Sequence, residues 1–398
     1  MYNHTSNPRN INAQNKSAQG IYTAAYTYER YMDEHCIDAL IELGFLSYRQ
    51  RDAIVEIFTD IIEMNDIPVI ERPFLIKYKN HFEAMEAINA FLQKYALKTG
   101  ERTDIKPPAI NEYVLANLEE NFTKLGMVRN VFPNHVVYDV ALCIGSAEKG
   151  LRPRINCLAK MTRIPIFSID NIMVLGSSRK LWPLRKTENG IEFPEPTLYN
   201  LLAERLSERD GKNVPVSKIK SFVAELDTKE TAVEKLAEEV SAHPYFTGIS
   251  WPTEADLIKA ILDERPVFKG QNVAVINAPD YPDGRRADLA RTLATAIDEY
   301  SDIFNSKAGI LAVSSQPFVR NQKQVIKQIL PKGVDVDVIG EGIDAFTPKQ
   351  AMLCLDTLAR TIYGSLAHYK AKEKELKQAK ILREALHRTH LGKSYLKG

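Results

Sequence analysis

Five short apolar segments in the second half of the chain are separated by stretches that mostly have helical periodicity. The five segments are residues 139–145, 171–178, 272–279, 309–315 and 334–340. The first four are almost entirely apolar, which is typical of strands that are buried on both faces of a parallel sheet. The pattern predicts an α/β fold with a Rossmann-like, mostly parallel sheet flanked by helices.

The first third of the chain has the periodicity of helices rather than of strands. Apolar residues recur at helical spacing within residues 28–43, 47–64, 81–97 and 111–125. By contrast, residues 1–20 are rich in Asn, Ser and Gln and contain no apolar core, so we expect a disordered leader rather than a secretory signal. The helical pattern predicts an all-helical subdomain at residues 21–130.

The remaining domain boundaries follow from the same patterns. We expect the α/β domain at residues 134–344, and C-terminal helices with a basic tail at residues 345–398. Inside the α/β domain, residues 182–196 are dense in Pro, Gly, Glu and Asn, which indicates a long loop. Helical patterns follow at residues 198–208 and 228–241.

Composition narrows the class of protein but not its activity. The chain has 398 residues, of which 44% are apolar and 26% charged, as in ordinary globular proteins. Its net charge of +1 gives no general case for nucleic acid or an anionic membrane, although residues 370–398 carry nine cations against three glutamates. No apolar stretch approaches the ~20 residues that span a bilayer. The four cysteines form no CxxC pair, so we expect reduced thiols in a cytoplasmic protein and no metal site.

Parallel sheets bind ligands beyond the carboxyl ends of their strands, so the residues that follow each apolar segment are candidates for a site. Glycine turns, hydroxyls and arginines suit a phosphate or carboxylate there, because they offer N–H groups and positive charge. The predicted ligand-binding residues are Gly145, Ser146, Arg154, Gly176, Ser177, Ser178, Arg179, Thr253, Ser314, Ser315 and Arg320. The structural alternative is a set of glycine turns with solvated cations.

The segment from Thr253 to Asp256 supplies the acidic candidates for catalysis. Glu254 and Asp256 would lie in the first turn of a helix near the cleft, where either carboxylate acts as a general base or holds a metal. The structural alternative is a capping box, in which Thr253 caps the helix and Asp256 returns the bond.

Two familiar enzyme patterns are missing from the strand ends. The chain has no GxSxG motif and no histidine beside these turns, so Ser-His-Asp hydrolysis is disfavoured. Gly145 and Gly150 do not reproduce the GxGxxG spacing, so a nicotinamide or flavin oxidoreductase is disfavoured as well. These residues therefore identify no cofactor.

The order of the strand-end motifs resembles the DUF218 family, which includes the YdcF, SanA and ElyC proteins. The similar features are a strand that ends in Gly145, a helix that Arg154 opens, a Gly176-Ser177 strand end, a Thr253-Glu254 segment and a strand end with Ser314 and Arg320. The resemblance covers residues 136–344 and implies ligand binding or catalysis at these positions. It also implies a bacterial protein, because many of these relatives are linked to the bacterial envelope.

The chain departs from the family pattern at several positions. Residues 253–256 read Thr-Glu-Ala-Asp where the family has T-x-E-N, and Pro317 or Phe318 stands where the family has a histidine. The missing histidine argues against a histidine-dependent reaction. An additional strand is predicted at residues 272–278, residues 1–130 have no counterpart, and we expect no membrane anchor.

Two functions fit these observations. The first is a soluble YdcF-like protein that binds a small anionic ligand, phosphate-like or nucleotide-like, at the strand ends. If that protein is an enzyme, it hydrolyses or transfers a phosphoester-type group. The alternative is a non-catalytic interaction protein, in which the helical subdomain or the basic tail binds a macromolecular partner. We expect neither a membrane span nor a nucleic-acid partner, and the sequence does not fix the oligomeric state.

Overall fold

The computed structural model describes residues 47–68, 72, 81–97, 109–181, 184–187, 190–226, 240, 242–305, 308–331 and 333–395. The helices are α1 (Arg51–Met64), α2 (His81–Tyr95), α3 (Glu112–Lys124), α4 (Glu148–Met161), α5 (Pro196–Asp210), α6 (Val216–Ala224), α7 (Glu254–Asp263), α8 (Leu289–Glu299), α9 (Val319–Ile329) and α10 (Pro348–Tyr395). The strands are β1 (Val137–Ile144), β2 (Ser168–Ser177), β3 (Arg185–Thr187), β4 (Gly190–Glu192), β5 (Val273–Ala278), β6 (Gly309–Ser315) and β7 (Asp335–Glu341).

Five of these strands form one parallel sheet in the order β5-β2-β1-β6-β7, which confirms the predicted Rossmann-like α/β fold. After β1, the chain places β2 and then β5 on one side of β1, and it places β6 and then β7 on the other side. The order therefore reverses between β1 and β6, where Val140 to Cys143 pair with Ile310 to Val313. This reversal point is where sheets of this class form a crevice.

Helices cover both faces of the sheet. On one face, α4 and α7 pack against apolar residues of β1 and β2 such as Ala141 and Val174. On the other face, α8 packs against β2 and β5, and α9 packs against β6 and β7. The core on this face includes Val140 and Met173, which alternate with the first set along the same strands. Because both faces are buried, the strands read as continuous apolar runs in the sequence.

A second compact unit consists of helices. The chain divides into residues 130–342, which hold the sheet, and a unit formed by residues 1–129 with 343–398. In the helical unit, α10 contacts α2 and α3, and its Ala351, Leu355 and Ile362 are buried in the same core as Phe58 of α1. The sequence treats residues 345–398 as a separate segment, whereas the structure joins α10 to the N-terminal helices.

The structure differs from the sequence prediction in the segment after β2. Residues 182–196, predicted as a loop, include the antiparallel hairpin of β3 and β4, and helix α6 is not predicted at all. The predicted leader, the helix at 28–43 and nearly all of the helix at 228–241 lie outside the described residues. Across the part of the chain that the structure describes, no helix has the length and apolarity that a membrane crossing needs.

Candidate functional site

The carboxyl ends of β1, β2 and β6 lie side by side at one edge of the sheet. Ile144 pairs with Leu175 of β2, and β6 runs parallel to β1 on its other side and ends at Ser315. The predicted candidates on these three strand ends are therefore brought to the same edge, at the point where the strand order reverses. Parallel sheets with this order bind their ligands there.

Arg154 of α4 bridges the ends of β1 and β6. Its side chain is only 4% exposed, and its Nη1 donates to the carbonyl oxygens of Ile144 (2.8 Å) and Gly145 (3.0 Å). Its Nη2 donates to Ser315 Oγ at 3.0 Å. These three acceptors are uncharged, so Arg154 places a fixed positive charge in a low-dielectric position, where its field acts strongly on a neighbouring anion.

Glu254, the first residue of α7, lies against the turn that follows β2. Ser177 Oγ donates to Glu254 Oε2 at 2.6 Å, and the Glu254 N–H donates to the carbonyl oxygen of Arg179 at 2.9 Å. Burial raises the pKa of Glu254 above its ordinary value, although Ser177, Arg179 and Arg154 all favour its charged form. A raised pKa makes this carboxylate a stronger proton acceptor than an ordinary glutamate.

Two glycines allow these elements to approach each other closely. A Cβ on Gly145 would lie 2.2 Å from the carbonyl oxygen of Leu175 and 3.0 Å from Glu254 Oε1. A Cβ on Gly176 would lie 2.4 Å from Ile258 Cδ1 of α7. Gly145 therefore admits the Glu254 carboxylate beside β1, and Gly176 admits α7 onto β2. Both positions require the absence of a side chain for packing.

A second buried glutamate, which sequence reasoning missed, completes the charge cluster. Glu195 lies just before α5 and accepts a hydrogen bond from the N–H of Glu148, at the first turn of α4, at 2.6 Å. Burial raises the pKa of Glu195, and Arg179 favours the charged form of both Glu195 and Glu254. Arg179 therefore lies near two buried carboxylates.

Glu148 in turn caps the N-terminus of α5. Its carboxylate accepts from the N–H of Thr197 (2.9 Å) and from Thr197 Oγ1 (2.6 Å), and it is paired with Arg152. Each of the two helices thus receives a carboxylate from the other at its N-terminus, where the helix dipole favours negative charge. The only sequence signal for this contact is Glu195-Pro196 at a helix start, and nothing in the sequence indicates its partner 47 residues away.

Thr253 and Asp256 form the capping box of α7, which confirms the structural alternative for this pair. The Thr253 side chain accepts from the N–H of Asp256, and Asp256 Oδ2 accepts from the N–H of Thr253 at 2.8 Å. Arg205 pairs with the same carboxylate at 2.9 Å. Burial alone would raise the pKa of Asp256, but the Thr253 bonds and Arg205 outweigh it and hold the pKa below its ordinary value. Asp256 is therefore engaged in structure.

The remaining candidates divide between the two faces of the sheet. Ser314 is buried and bonds the side chain of Gln322 on α9, on the opposite face from Ser315. Ser178 donates its N–H to Ala278 at 2.9 Å, and Ser146 Oγ lies over Gly150 in the first turn of α4. Arg320, in the first turn of α9, makes no hydrogen bond or ion pair with any described residue, and burial lowers its pKa.

A separate groove of about 550 Å³ lies at the opposite edge of the sheet, where the strands begin. Its polar residues are satisfied within the protein: Tyr138 and the N–H of Asn134 both donate to Asp337 at 2.8 Å, and His135 pairs with Asp335 at 3.1 Å. Over the described ranges, no cluster of three or more His, Cys, Asp or Glu side chains is arranged to hold a metal ion. The cluster of Arg154, Ser177, Arg179, Glu195 and Glu254 is the candidate site.

No protein-family model, no curated protein and no solved structure matches this chain, so the similarity to DUF218 stays a prediction.

Proposed function

We propose that the chain is a DUF218-type protein that binds a small anionic ligand, phosphate-like or nucleotide-like, at the carboxyl ends of β1, β2 and β6. The observation that carries this proposal is the buried guanidinium of Arg154, which bridges β1 and β6 through uncharged acceptors. A buried guanidinium at this edge attracts an anion, because the field of a charge is stronger in a low-dielectric position.

Three further features support an anionic ligand. Arg179 follows β2 at the same edge and is half-buried, so its guanidinium can pair with a phosphate through two parallel bonds. The first turn of α4 points its N–H groups toward the same edge, and Glu195 already occupies one of them. Arg320 adds a further cation after β6.

Glu254 gives this site the chemistry for hydrolysis or transfer of a phosphoester-type group. Its carboxyl group is held at 2.6 Å from Ser177 Oγ and lies next to Gly145, at the end of the central strand β1. The raised pKa of Glu254 suits a residue that moves a proton to or from a ligand oxygen. Asp256, which the sequence offered for the same role, is left out of this proposal because it is committed to the capping box and to Arg205.

A dinucleotide cofactor is disfavoured at the same edge. The turn from Gly145 to Gly150 lacks the spacing that lets a backbone approach a pyrophosphate, and Glu195 fills the first N–H of α4. The sequence-based alternative is an interaction protein whose helical subdomain or basic tail binds a macromolecular partner. Lys370 of this tail pairs with Glu86 at 2.6 Å, and the side chains from residue 375 onward lie outside the description.

The proposal is tested by thermal unfolding with inorganic phosphate, pyrophosphate, sugar phosphates and nucleotides. A ligand at about 100 times its dissociation constant adds about 2.7 kcal/mol, which corresponds to a shift of about 5–10 °C for a unit of 213 residues. We expect Arg179→Ala to abolish the shift. Arg163→Ala removes an exposed arginine before β2, at the opposite edge, and should keep it. If none of these anions stabilises the wild-type protein, the proposed function is wrong.

A further inference from the structure

Arg320 is a cation at the ligand-binding edge of the sheet whose positive charge the described residues leave uncompensated. It lies in the first turn of α9, five residues after the last residue of β6. Within the part of the chain that the structure describes, Arg320 makes no hydrogen bond and no ion pair, and burial is the one cause that lowers its pKa. The guanidinium stays charged all the same. A partly buried cation in such surroundings favours a bound anion.

Arg320 belongs to the helix that covers the opposite face of β6 from the helix of Arg154. Ser315 accepts a hydrogen bond from Arg154 of α4, whereas the preceding Ser314 bonds Gln322 of α9. Because successive side chains of a strand point to opposite faces, α4 and α9 approach β6 from opposite sides. Arg320 lies two residues before Gln322 on α9. The carboxyl end of β6 therefore has an arginine in each of the two helices that cover it.

The spacing of the strands sets the distance over which the site presents cations. β2, β1 and β6 are neighbours in the sheet, and neighbouring strands lie about 4.8 Å apart, so the ends of β2 and β6 are separated by about 10 Å. Arg179 follows the end of β2, and Arg320 follows the end of β6. A single phosphate is small compared with this separation. A molecule with an anionic group at each end matches it.

We infer that the ligand of this site carries two anionic groups, one at each end, and that Arg320 binds the second of them, an inference that rests on the proposed function. The chemical class is an elongated bisphosphate, such as a sugar or polyol that is phosphorylated at both ends. One group pairs with Arg179 after β2, and the other pairs with Arg320 after β6. Between these two anchors the ligand crosses the end of β1, where the Glu254 carboxylate lies beside Gly145.

The test compares two ligands that have the same anionic groups and different lengths, methylenediphosphonate and hexane-1,6-diphosphonate. The short ligand holds its two phosphonates as close together as pyrophosphate holds its phosphates, and the long ligand separates them far enough to reach both strand ends. Isothermal titration calorimetry measures both affinities. We expect the wild-type protein to bind the long ligand at least about tenfold more tightly, because only that ligand forms the second charge-assisted contact.

Arg320→Gln should remove this preference and leave the affinity for the short diphosphonate within about twofold of the wild-type value, because the two anchors are separate. Lys327→Gln, which removes an exposed cation from the same helix, is the matched control and should keep the preference. Without ligand, Arg320→Gln should unfold at a temperature no lower than the wild type, because it removes a partly buried charge. Arg320→Lys keeps that charge and should keep part of the preference.

The outcomes separate this inference from the proposed function. A wild-type protein that does not prefer the long diphosphonate, or a preference that persists in Arg320→Gln, would overturn the inference and leave the anion site standing. An equal loss of affinity for both ligands in Arg320→Gln would also overturn it, because Arg320 would then bind the same anionic group as Arg179. A wild-type protein that binds neither diphosphonate, and neither phosphate nor pyrophosphate, would overturn the proposed function together with the inference.

Discussion

Single residues of this protein place ionisable groups in buried positions. Arg154 donates to two backbone carbonyls and one hydroxyl, and Glu254 accepts from one hydroxyl. In the helical unit, Asp60 of α1 is 3% exposed, and its Oδ2 makes no hydrogen bond with any described residue. Burial, followed by the charges of Glu56 and Glu63, raises the pKa of Asp60 to about 8, against a smaller opposing effect of Asn117.

Asp60 is expected to make the protein less stable as the pH rises. Between the unfolded pKa of 3.8 and the folded pKa of about 8, the unfolded chain releases a proton that the folded protein retains. The free energy of unfolding therefore decreases by at most about 1.4 kcal/mol per pH unit in that window, and the loss is complete above it. Asp60→Asn carries no proton to lose, so it should be more stable than the wild type at pH 7.5, by on the order of 2–4 kcal/mol.

Chemical denaturation at pH 5 and at pH 7.5 measures this difference. The advantage of Asp60→Asn should shrink at pH 5, because ionisation of Asp60 stabilises the unfolded wild-type chain less as the pH approaches the unfolded pKa of 3.8. Asp52→Asn changes an exposed carboxylate on the same helix and should have little effect at either pH. Equal stability of Asp60→Asn and the wild type at pH 7.5 would show that Asp60 is not held protonated.

The residue scale also shows where sequence reasoning stops. Alternation along a strand places Ser314 and Ser315 on opposite faces, so only one of them can reach the β1–β6 edge. The sequence does not show which serine this is. Both faces of β6 are covered by helices, so the pattern of polar and apolar residues does not distinguish the two hydroxyls. Only the position of Arg154 on α4 distinguishes them.

At the scale of elements, α7 connects stability with the site. Its capping box holds the first turn, and the next residue after the Thr253 cap is Glu254.

The sequence predicts the strands of the parallel sheet well, because each of them is a short apolar run that ends in small residues. The hairpin of β3 and β4 was missed because its three-residue strands lie in a segment rich in turn-forming residues.

Loss of the capping box should destabilise the α/β unit. Thr253→Ala removes the side-chain acceptor for the N–H of Asp256 and should lower the free energy of unfolding by about 1 kcal/mol. Lys259→Ala, at an exposed position of the same helix, should be close to neutral. Urea denaturation of the two variants compares them directly, and equal stabilities would mean that the capping box contributes nothing measurable.

For the whole molecule, the candidate site draws all of its residues from the unit of residues 130–342. The sequence predicts the order of the segments along the chain but not the contacts that assemble the site. Glu195 and Glu148 are 47 residues apart, and Arg154 and Ser315 are 161 residues apart. Such pairs depend on the strand order and on helix packing, which no local pattern encodes.

Sulfate binding should therefore slow hydrogen exchange in three separate segments of this unit. We expect protection around residues 145–154, 177–179 and 254–256, measured by mass spectrometry with and without sulfate. Peptides from α1 to α3 serve as the internal control and should be unchanged. Protection confined to the helical unit would instead favour the interaction-protein alternative.

The bridge made by Arg154 has a consequence for how this protein can diverge during evolution. The planar guanidinium reaches two consecutive carbonyls from Nη1 and a hydroxyl from Nη2, a geometry that the single nitrogen of a lysine does not reproduce. Substitution of Arg154 is therefore not tolerated. At position 315, Thr can replace Ser, because its hydroxyl oxygen accepts the same hydrogen bond. An arginine ten residues after the last residue of the first strand, together with a hydroxyl at the end of the fourth strand of the sheet, forms a pair that should be retained together and mark descent among distant homologues.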